Sequence, residues 1–231
     1  MKCGESDTRN ETYQENFSEE KFYKLLLSND EPLIIDIGAH KGESVEFFNS
    51  IFPKAVIYSV EPDPISYAAL IEYLPDKSRV INAAIASIDG TKIFFQYDKS
   101  HLNSLHAINK ESKDSLGYAE KTSAKEIYVR CITLNTLVRE LGITSKRINL
   151  LKIDAQGGEL DILSGANTAL KKVDNITVEL SLYDFYTKRN TFLEIEQLLP
   201  DFELYAITKL SQNPKNYRTD WAEVFYTRKT Y

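Results

Sequence analysis

Apolar and polar positions along this chain follow two periods in turn. Leu33-Ile34-Ile35 is a short continuous apolar run, and Glu43 to Phe52 carries apolar residues at helical spacing. The succession then repeats. Strand 33–37 leads to helix 42–52, strand 55–60 to helix 64–74, and then comes strand 79–86. Strand 148–153 follows later, then helix 158–171, strand 174–181 and helix 191–199. Alternation of this kind predicts an α/β fold with a mostly parallel central sheet and helices on both faces, each crossover right-handed. Phe17, Phe22, Leu25 and Leu26 recur near helical spacing after Ser18, a candidate N-cap, which predicts a helix over 18–28.

Three stretches depart from the rhythm. Residues 1–16 hold little that can be buried and read as a disordered tail, leaving 17–231 as one domain. Lys92–Tyr97 and Glu126–Thr133 have mixed polarity and are expected to pair antiparallel. Between them, 98–125 is rich in Lys, Ser, His and Asn with weak periodicity, as expected of a lid or acceptor-binding insert. Phe202–Thr208 and Ala222–Arg228 read as an antiparallel C-terminal strand pair closing the sheet's edge.

Composition narrows the function classes. At 231 residues with 42% hydrophobic and 27% charged residues, the chain reads as an ordinary globular domain. A net charge of −6 argues against a general nucleic-acid binder, which needs a basic field. No apolar run approaches the roughly 20 residues of a membrane span, and the polar start has no signal-peptide core. Cys3 and Cys131 do not make a disulfide framework. A reducing cytoplasm is the expected setting.

The chemistry gathers at strand ends. Asp36-Ile37-Gly38-Ala39-His40-Lys41-Gly42 is a glycine turn between a strand and a helix, with glycines spaced G-x-x-x-G. A dinucleotide site calls for G-x-G-x-x-G and free backbone N–H groups for a pyrophosphate. Asp36 would repel that anion and suits a cationic ligand such as S-adenosylmethionine (SAM); it can equally be a helix-capping acid. Glu61, in Val60-Glu61-Pro62-Asp63-Pro64, ends the second strand, where an acid can accept from both ribose hydroxyls or favour a helix dipole. Asn82, in Ile81-Asn82-Ala83-Ala84-Ile85, can reach an adenine or ribose edge or simply shape a turn. Lys152-Ile153-Asp154-Ala155-Gln156-Gly157-Gly158-Glu159 repeats the strand, acid and glycine order. Its Lys152 sits in an apolar strand and needs a partner, for which Asp154 and Glu159 are the candidates.

Together these segments resemble the FkbM-type methyltransferases, from about Leu33 to Arg228. The first two motifs are common to many methyltransferases, and Lys152-Ile153-Asp154 with Gly157 and Glu159 is the more specific mark. Asn82-Ala83-Ala84-Ile85 before Gly90, Leu163-Ser164-Gly165 and Val224-Phe225 also look family-like. Two positions depart: Asn135 stands where relatives tend to have aspartate, and Ala155-Gln156 where valine–glutamate is common, which puts the acceptor side in doubt.

The resemblance implies a Rossmann-like three-layer sandwich and SAM as cofactor. Asp36, Gly38, Ala39, Gly42, Glu61, Pro62, Asn82 and Ala83 would bind it, the Asp36 turn at the methionine end and Glu61 at the ribose. It implies methyl transfer to a hydroxyl of a sugar, a glycan or a sugar-like natural product. Asp154 is the first candidate base, with His106 and His101 behind it. Glu179, at the end of the fifth strand, lies on the same side. No strong metal-ligand spacing is present. A non-catalytic binding protein working through the 98–125 surface is the alternative. A nicotinamide enzyme would lack its glycine fingerprint here. A base methyltransferase would show an aspartate or asparagine followed by two prolines and an aromatic where this chain has Asp154-Ala155-Gln156-Gly157.

Overall fold

The computed structural model describes residues 8–74, 76, 79–112, 117–188 and 191–230. Its frame is a seven-stranded sheet. In chain order the elements that build it are β1 (Leu33–Ile37), α3 (Glu43–Ile51), β2 (Val56–Val60), α4 (Pro64–Tyr73) and β3 (Val80–Ile81). After an excursion come β7 (Ile148–Ile153), α7 (Glu159–Ser164), α8 (Asn167–Leu170), β8 (Val173–Ser181), α9 (Phe192–Leu198), β9 (Phe202–Gln212) and β10 (Thr219–Arg228). The strand order is β3-β2-β1-β7-β8-β10-β9. β1, β2, β3, β7 and β8 run parallel, and β10 is antiparallel to β8 and β9. The order reverses between β1 and β7, so the two crossovers leave in opposite directions and open a crevice at the strands' carboxyl ends.

Layering follows from side-chain alternation. One sheet face packs Ile35, Leu151, Ile153, Ile176 and Val178 against the helices that follow β7 and β8. The other packs Ile34, Ile57, Leu150 and Phe225 against α3, α4 and a helix α2 (Glu19–Leu27). Each such fully buried side chain contributes roughly 1.5–3 kcal/mol. Ser18 caps α2 by accepting from Lys21 N at 3.1 Å, and Phe22 meets Phe225 edge-on with ring centroids 5.0 Å apart. This contact docks α2 on the sheet face that carries Phe225.

Several expectations need correction. Thr8–Asn16 forms a helix, α1, where a disordered tail was expected; residues 1–7 lie outside the described residues. Its end is fastened by Tyr13 stacked on Phe17 at 5.2 Å. The expected strand 79–86 is two: β3 joins the large sheet, while β4 (Ala84–Ile85) joins a second sheet of order β4-β6-β5, with β5 at Gly90–Tyr97 and β6 at Ala124–Ile132. The antiparallel pairing of β5 with β6 is as expected. The expected helix 158–171 breaks at Gly165, where a Cβ would come within 2.8 Å of the Ala86 carbonyl oxygen, so the chain bends to pass that backbone. A seven-residue helix, α6 (Leu134–Glu140), was not anticipated, being too short to show a period. The insert 98–125, of which 113–116 lie outside the described residues, folds over its own small core of Tyr97, Leu102, Ile108 and Ala119 with Phe185 and Tyr186. Within it, Ser100–Leu102 form a 3-10 turn and Tyr118–Lys121 a short helix, α5. Cys131 is buried and free, and Cys3 lies outside the described residues.

Candidate active site

The first turn depends on Gly38. Its φ is +82°, and a Cβ there would lie 1.8 Å from the carbonyl oxygen of Asp154, so the two strand ends touch backbone to backbone. Gly38 N and Ala39 N both donate to Val60 O, at 2.9 and 3.1 Å, folding the turn onto β2. Gly42, at φ +102°, starts α3. The turn brings His40 N to Glu61 Oε2 at 2.8 Å, while Glu61 Oε1 accepts from Asp63 N at 2.8 Å. A carboxyl group, ionised or protonated, has more hydrogen-bonding capacity than these two bonds use, so Glu61, on the cavity wall, can still meet a hydroxyl. Burial raises the Glu61 pKa to about 8, with the Asp63 and Asp36 charges adding and the two N–H donors opposing.

At the next strand ends lies a charge network. Asp36 is fully buried: Ser44 Oγ donates to Oδ2, and Lys152 Nζ faces Oδ1 at 3.2 Å. Lys152 also faces Asp154 Oδ2 at 3.6 Å. Burial works against the lysine's charge, but the Asp36 and Asp154 carboxylates outweigh it and hold the pKa high. The partners of Lys152 are therefore Asp36 and Asp154, not Glu159. Glu159 instead accepts from Ala155 N (3.0 Å) and Gly157 N (3.2 Å), clamping the turn after β7, and burial raises its pKa to about 7. Gln156, at φ +52°, donates Nε2 to Asp154 Oδ1 at 2.9 Å and reaches Glu179 Oε1 at 3.3 Å. A glutamate in its place would add a negative charge beside Asp154; the amide ties the two carboxyl groups together. Glu179 is pushed well above the usual carboxylate range by burial and by the Asp154 and Glu159 charges.

Most of these groups, though not Asp36, Asp63 or Glu159, line one cavity of about 500 Å³, within the range of small-ligand sites. Gly38, Ala39, Glu61, Pro62, Ala83, Asp154 and Glu179 are on its wall. Four sequence candidates are not. Asp36 lies beneath the wall, its charge taken up by Lys152. Gly42 is the N-cap residue of α3. Asn82 points its amide at the carbonyls of Glu61 (2.8 Å) and Pro62 (3.2 Å), bracing the turn after β2. His106, offered as a base, is turned away: its ring faces Asp161 of α7 at 3.4 Å, and Lys188 shares that carboxylate. The insert contributes Ser100, His101, Asn103 and Leu105 to the wall instead. His40 was missed by sequence reasoning, though its place inside the glycine turn was a signal; its Nε2 lies 2.8 Å from Ser100 Oγ, joining turn to insert. The departure at Asn135 is remote, since it binds Asn167 and Ala169 N and ties α6 to α8. Among the described residues, no three His, Cys, Asp or Glu side chains are grouped to hold a metal, and no helix is long and apolar enough to cross a membrane.

The strand register orders the wall. Carried one residue past the strand ends, it sets Glu61, Gly38, Asp154 and Glu179 side by side, and Glu179 pairs with Glu223, which pairs with Lys209. SAM fits this row: Glu61 can take ribose hydroxyls, the Gly38 turn leaves the backbone bare, and an acidic wall suits its cationic sulfonium and ammonium. A switch-point crevice with an acid after β2 and a glycine turn without a phosphate cradle defines a SAM-dependent methyltransferase.

Comparison with known proteins narrows this. The Methyltransferase FkbM domain family matches residues 36–205, and the chain belongs to that family. It is 29% identical over 187 residues to 2-O-methyltransferase NoeI from Sinorhizobium fredii, covering 78% of this chain and 76% of that protein. It is 26% identical over 189 residues to Methyltransferase 1 from Beauveria bassiana, covering 76% and 75%. Among solved structures it aligns with Methyltransferase FkbM from Methylobacillus flagellatus, at 17% identity and a TM-score of 0.49, covering 86% of this chain and 44% of that one. The chain thus spans less than half the length of that protein.

Proposed function

We propose that this methyltransferase acts on oxygen, methylating a hydroxyl of a sugar, a glycan or a sugar-like natural product. When bound, SAM supplies an electrophilic methyl carbon; the hydroxyl oxygen forms the new bond, sulfur keeps the electron pair, and the hydroxyl proton must leave. The chain's work is then positioning and proton removal. The observation that carries the reading is the position of Asp154. It stands on the cavity wall between the Gly38 turn and Glu179, with Oδ1 fixed by Gln156 and Oδ2 facing Lys152. A carboxylate oriented in this way serves as the base, and Glu179 orients the acceptor beside it. The 2-O-methyltransferase relative supports an oxygen acceptor, the net charge of −6 favours one other than nucleic acid, and the insert's four wall residues support its role as a lid.

The test is methyl transfer from SAM to a panel of glycosides, polyols, amines and carboxylates, with calorimetric titration of SAM in parallel. Expected are transfer to hydroxyl acceptors only, loss of turnover in Asp154→Asn with SAM affinity kept, and weakened SAM affinity in Glu61→Ala. Transfer to an amine or carboxylate with none to any hydroxyl would overturn the proposal.

A further inference from the structure

The cavity extends well past the Gly38 turn and Glu61. Strands lie about 4.8 Å apart. Asp154, two strands from Glu61, is therefore ~10 Å from the ribose end, and Glu223 is ~10 Å further on. Beyond Asp154 the wall is built by Glu19 and Tyr23 of α2, Lys209 of β9, and Trp221 and Glu223 of β10. All five fall outside residues 36–205, the stretch matched by the family. The end of the cavity that carries the Gly38 turn, Glu61, Asp154 and Glu179 thus lies within the shared region, and flanking elements of this chain extend the wall past Glu179.

The chemistry of that extension is specific. Trp221 is half-buried, the chain's single tryptophan, and pairs in register with Ser181. Its side chain shares a sheet face with Glu223, two residues on. Lys209 Nζ is 2.6 Å from Glu19 Oε1 and 3.7 Å from Glu223 Oε2, and Thr208 Oγ1 donates to Glu223 Oε1 at 2.7 Å. One indole face beside two carboxylates and an ammonium matches a pyranose ring, whose C–H face is apolar and whose vicinal hydroxyls both donate and accept. Charge selects further. Burial keeps the Glu61 and Glu179 carboxyls largely protonated at neutral pH, which leaves the wall's Glu19, Glu43, Asp154 and Glu223 against the ammonium groups of Lys152 and Lys209. An acceptor ring bearing a carboxylate or phosphate meets a repulsive field.

We propose that Trp221, Glu19, Lys209 and Glu223 form the acceptor subsite, and that it takes a neutral or amino-substituted pyranoside and rejects an anionic one. The inference rests on the hydroxyl-acceptor reading above.

Because Trp221 is the only tryptophan, its emission reports the subsite directly. The full chain, saturated with S-adenosylhomocysteine, is titrated with methyl glucoside, galactoside, fucoside, rhamnoside and glucosaminide, and with methyl glucuronide. Methyl transfer is assayed with the same compounds. Expected is a saturable emission change with one or more neutral or amino glycosides and none with the glucuronide. Trp221→Ala and Glu223→Gln should raise the acceptor KM at least tenfold while SAM affinity stays within twofold, and Trp221→Phe should recover most of the loss. Glycosides that are methylated without any emission change, and with KM unmoved in Trp221→Ala, would overturn the subsite and leave the hydroxyl-acceptor reading standing. Equal or tighter binding of the glucuronide would overturn the charge selection. No glycoside binding or transfer, with SAM bound normally and another acceptor methylated, would overturn the sugar reading and this inference with it.

Discussion

Lys152→Met is the substitution on which the structure makes its firmest demand. The Lys152 side chain is 14% exposed and Asp36 is 0% exposed, with 3.2 Å between Nζ and Oδ1. Removing the ammonium leaves Asp36 buried with only the Ser44 hydroxyl and leaves Asp154 without its cation. Breaking a buried pair by deleting one partner costs roughly 3–5 kcal/mol. In a chain of this size each kcal/mol lowers the melting temperature by about 2–4 °C, so a fall of about 6–20 °C is expected. The double variant Asp36→Asn/Lys152→Met removes both charges and should recover much of that loss, giving a coupling well above the ~0.5 kcal/mol of independent sites. Urea unfolding followed by circular dichroism on the parent, both single variants and the double variant measures each corner. If Lys152→Met lies within about 1 kcal/mol of the parent, or the two single effects simply add, the network is not a coupled pair and the reasoning fails.

Three further predictions follow from the same geometry. Gly38→Ala places a methyl 1.8 Å from the Asp154 carbonyl at φ +82°; it should lower the melting temperature and abolish SAM binding by calorimetry, and normal binding would refute the close approach. Glu61 and Glu159 hold protons in the fold up to about 8 and about 7, against the ordinary glutamate range when unfolded. Stability should therefore be full below that range and fall as pH rises through those values. Glu61→Gln should flatten the decline in a melting-temperature series, and a parent that gains stability over this window would contradict the sign. His106→Ala should keep kcat within a few-fold of the parent, because its ring faces Asp161 rather than the cavity; loss of turnover matching that of Asp154→Asn would return His106 to the chemistry.

How much of this was legible depended on whether the information was local. β1 and β7 have the expected bounds because each is built around a buried apolar run, Leu33-Ile34-Ile35 in one and Leu150-Leu151 in the other, which the acids and glycines that follow bring to an end. The Gly38 turn was legible because only a glycine can pass the Asp154 carbonyl, and that need is written in one residue. Helix α6 was missed because seven residues fixed by Asp89, which accepts from Thr133 N and Thr136 Oγ1, derive their stability from a residue far off in sequence. The site divides in the same way. Glu61 was readable from its place after a strand, whereas the roles of Asn82 and His106 hinge on what their side chains meet across the fold, a backbone carbonyl in one case and Asp161 in the other.

The acceptor side shows why a motif reading stops where it does. Glu19, Lys209 and Glu223 stand apart in sequence and have no signature as a set. What unites them is the pairing of β9 with β10, which sets Lys209 opposite Glu223, and the packing of Phe22 on Phe225, which swings Glu19 to 2.6 Å from Lys209. The cofactor half is built from turns, which a sequence writes in consecutive residues. The acceptor half is built from register and helix docking, which it writes only through the whole fold. An acceptor preference in such an enzyme can therefore change by substitutions on α2, β9 and β10 while the glycine turn and the acid after β2 stay as they are.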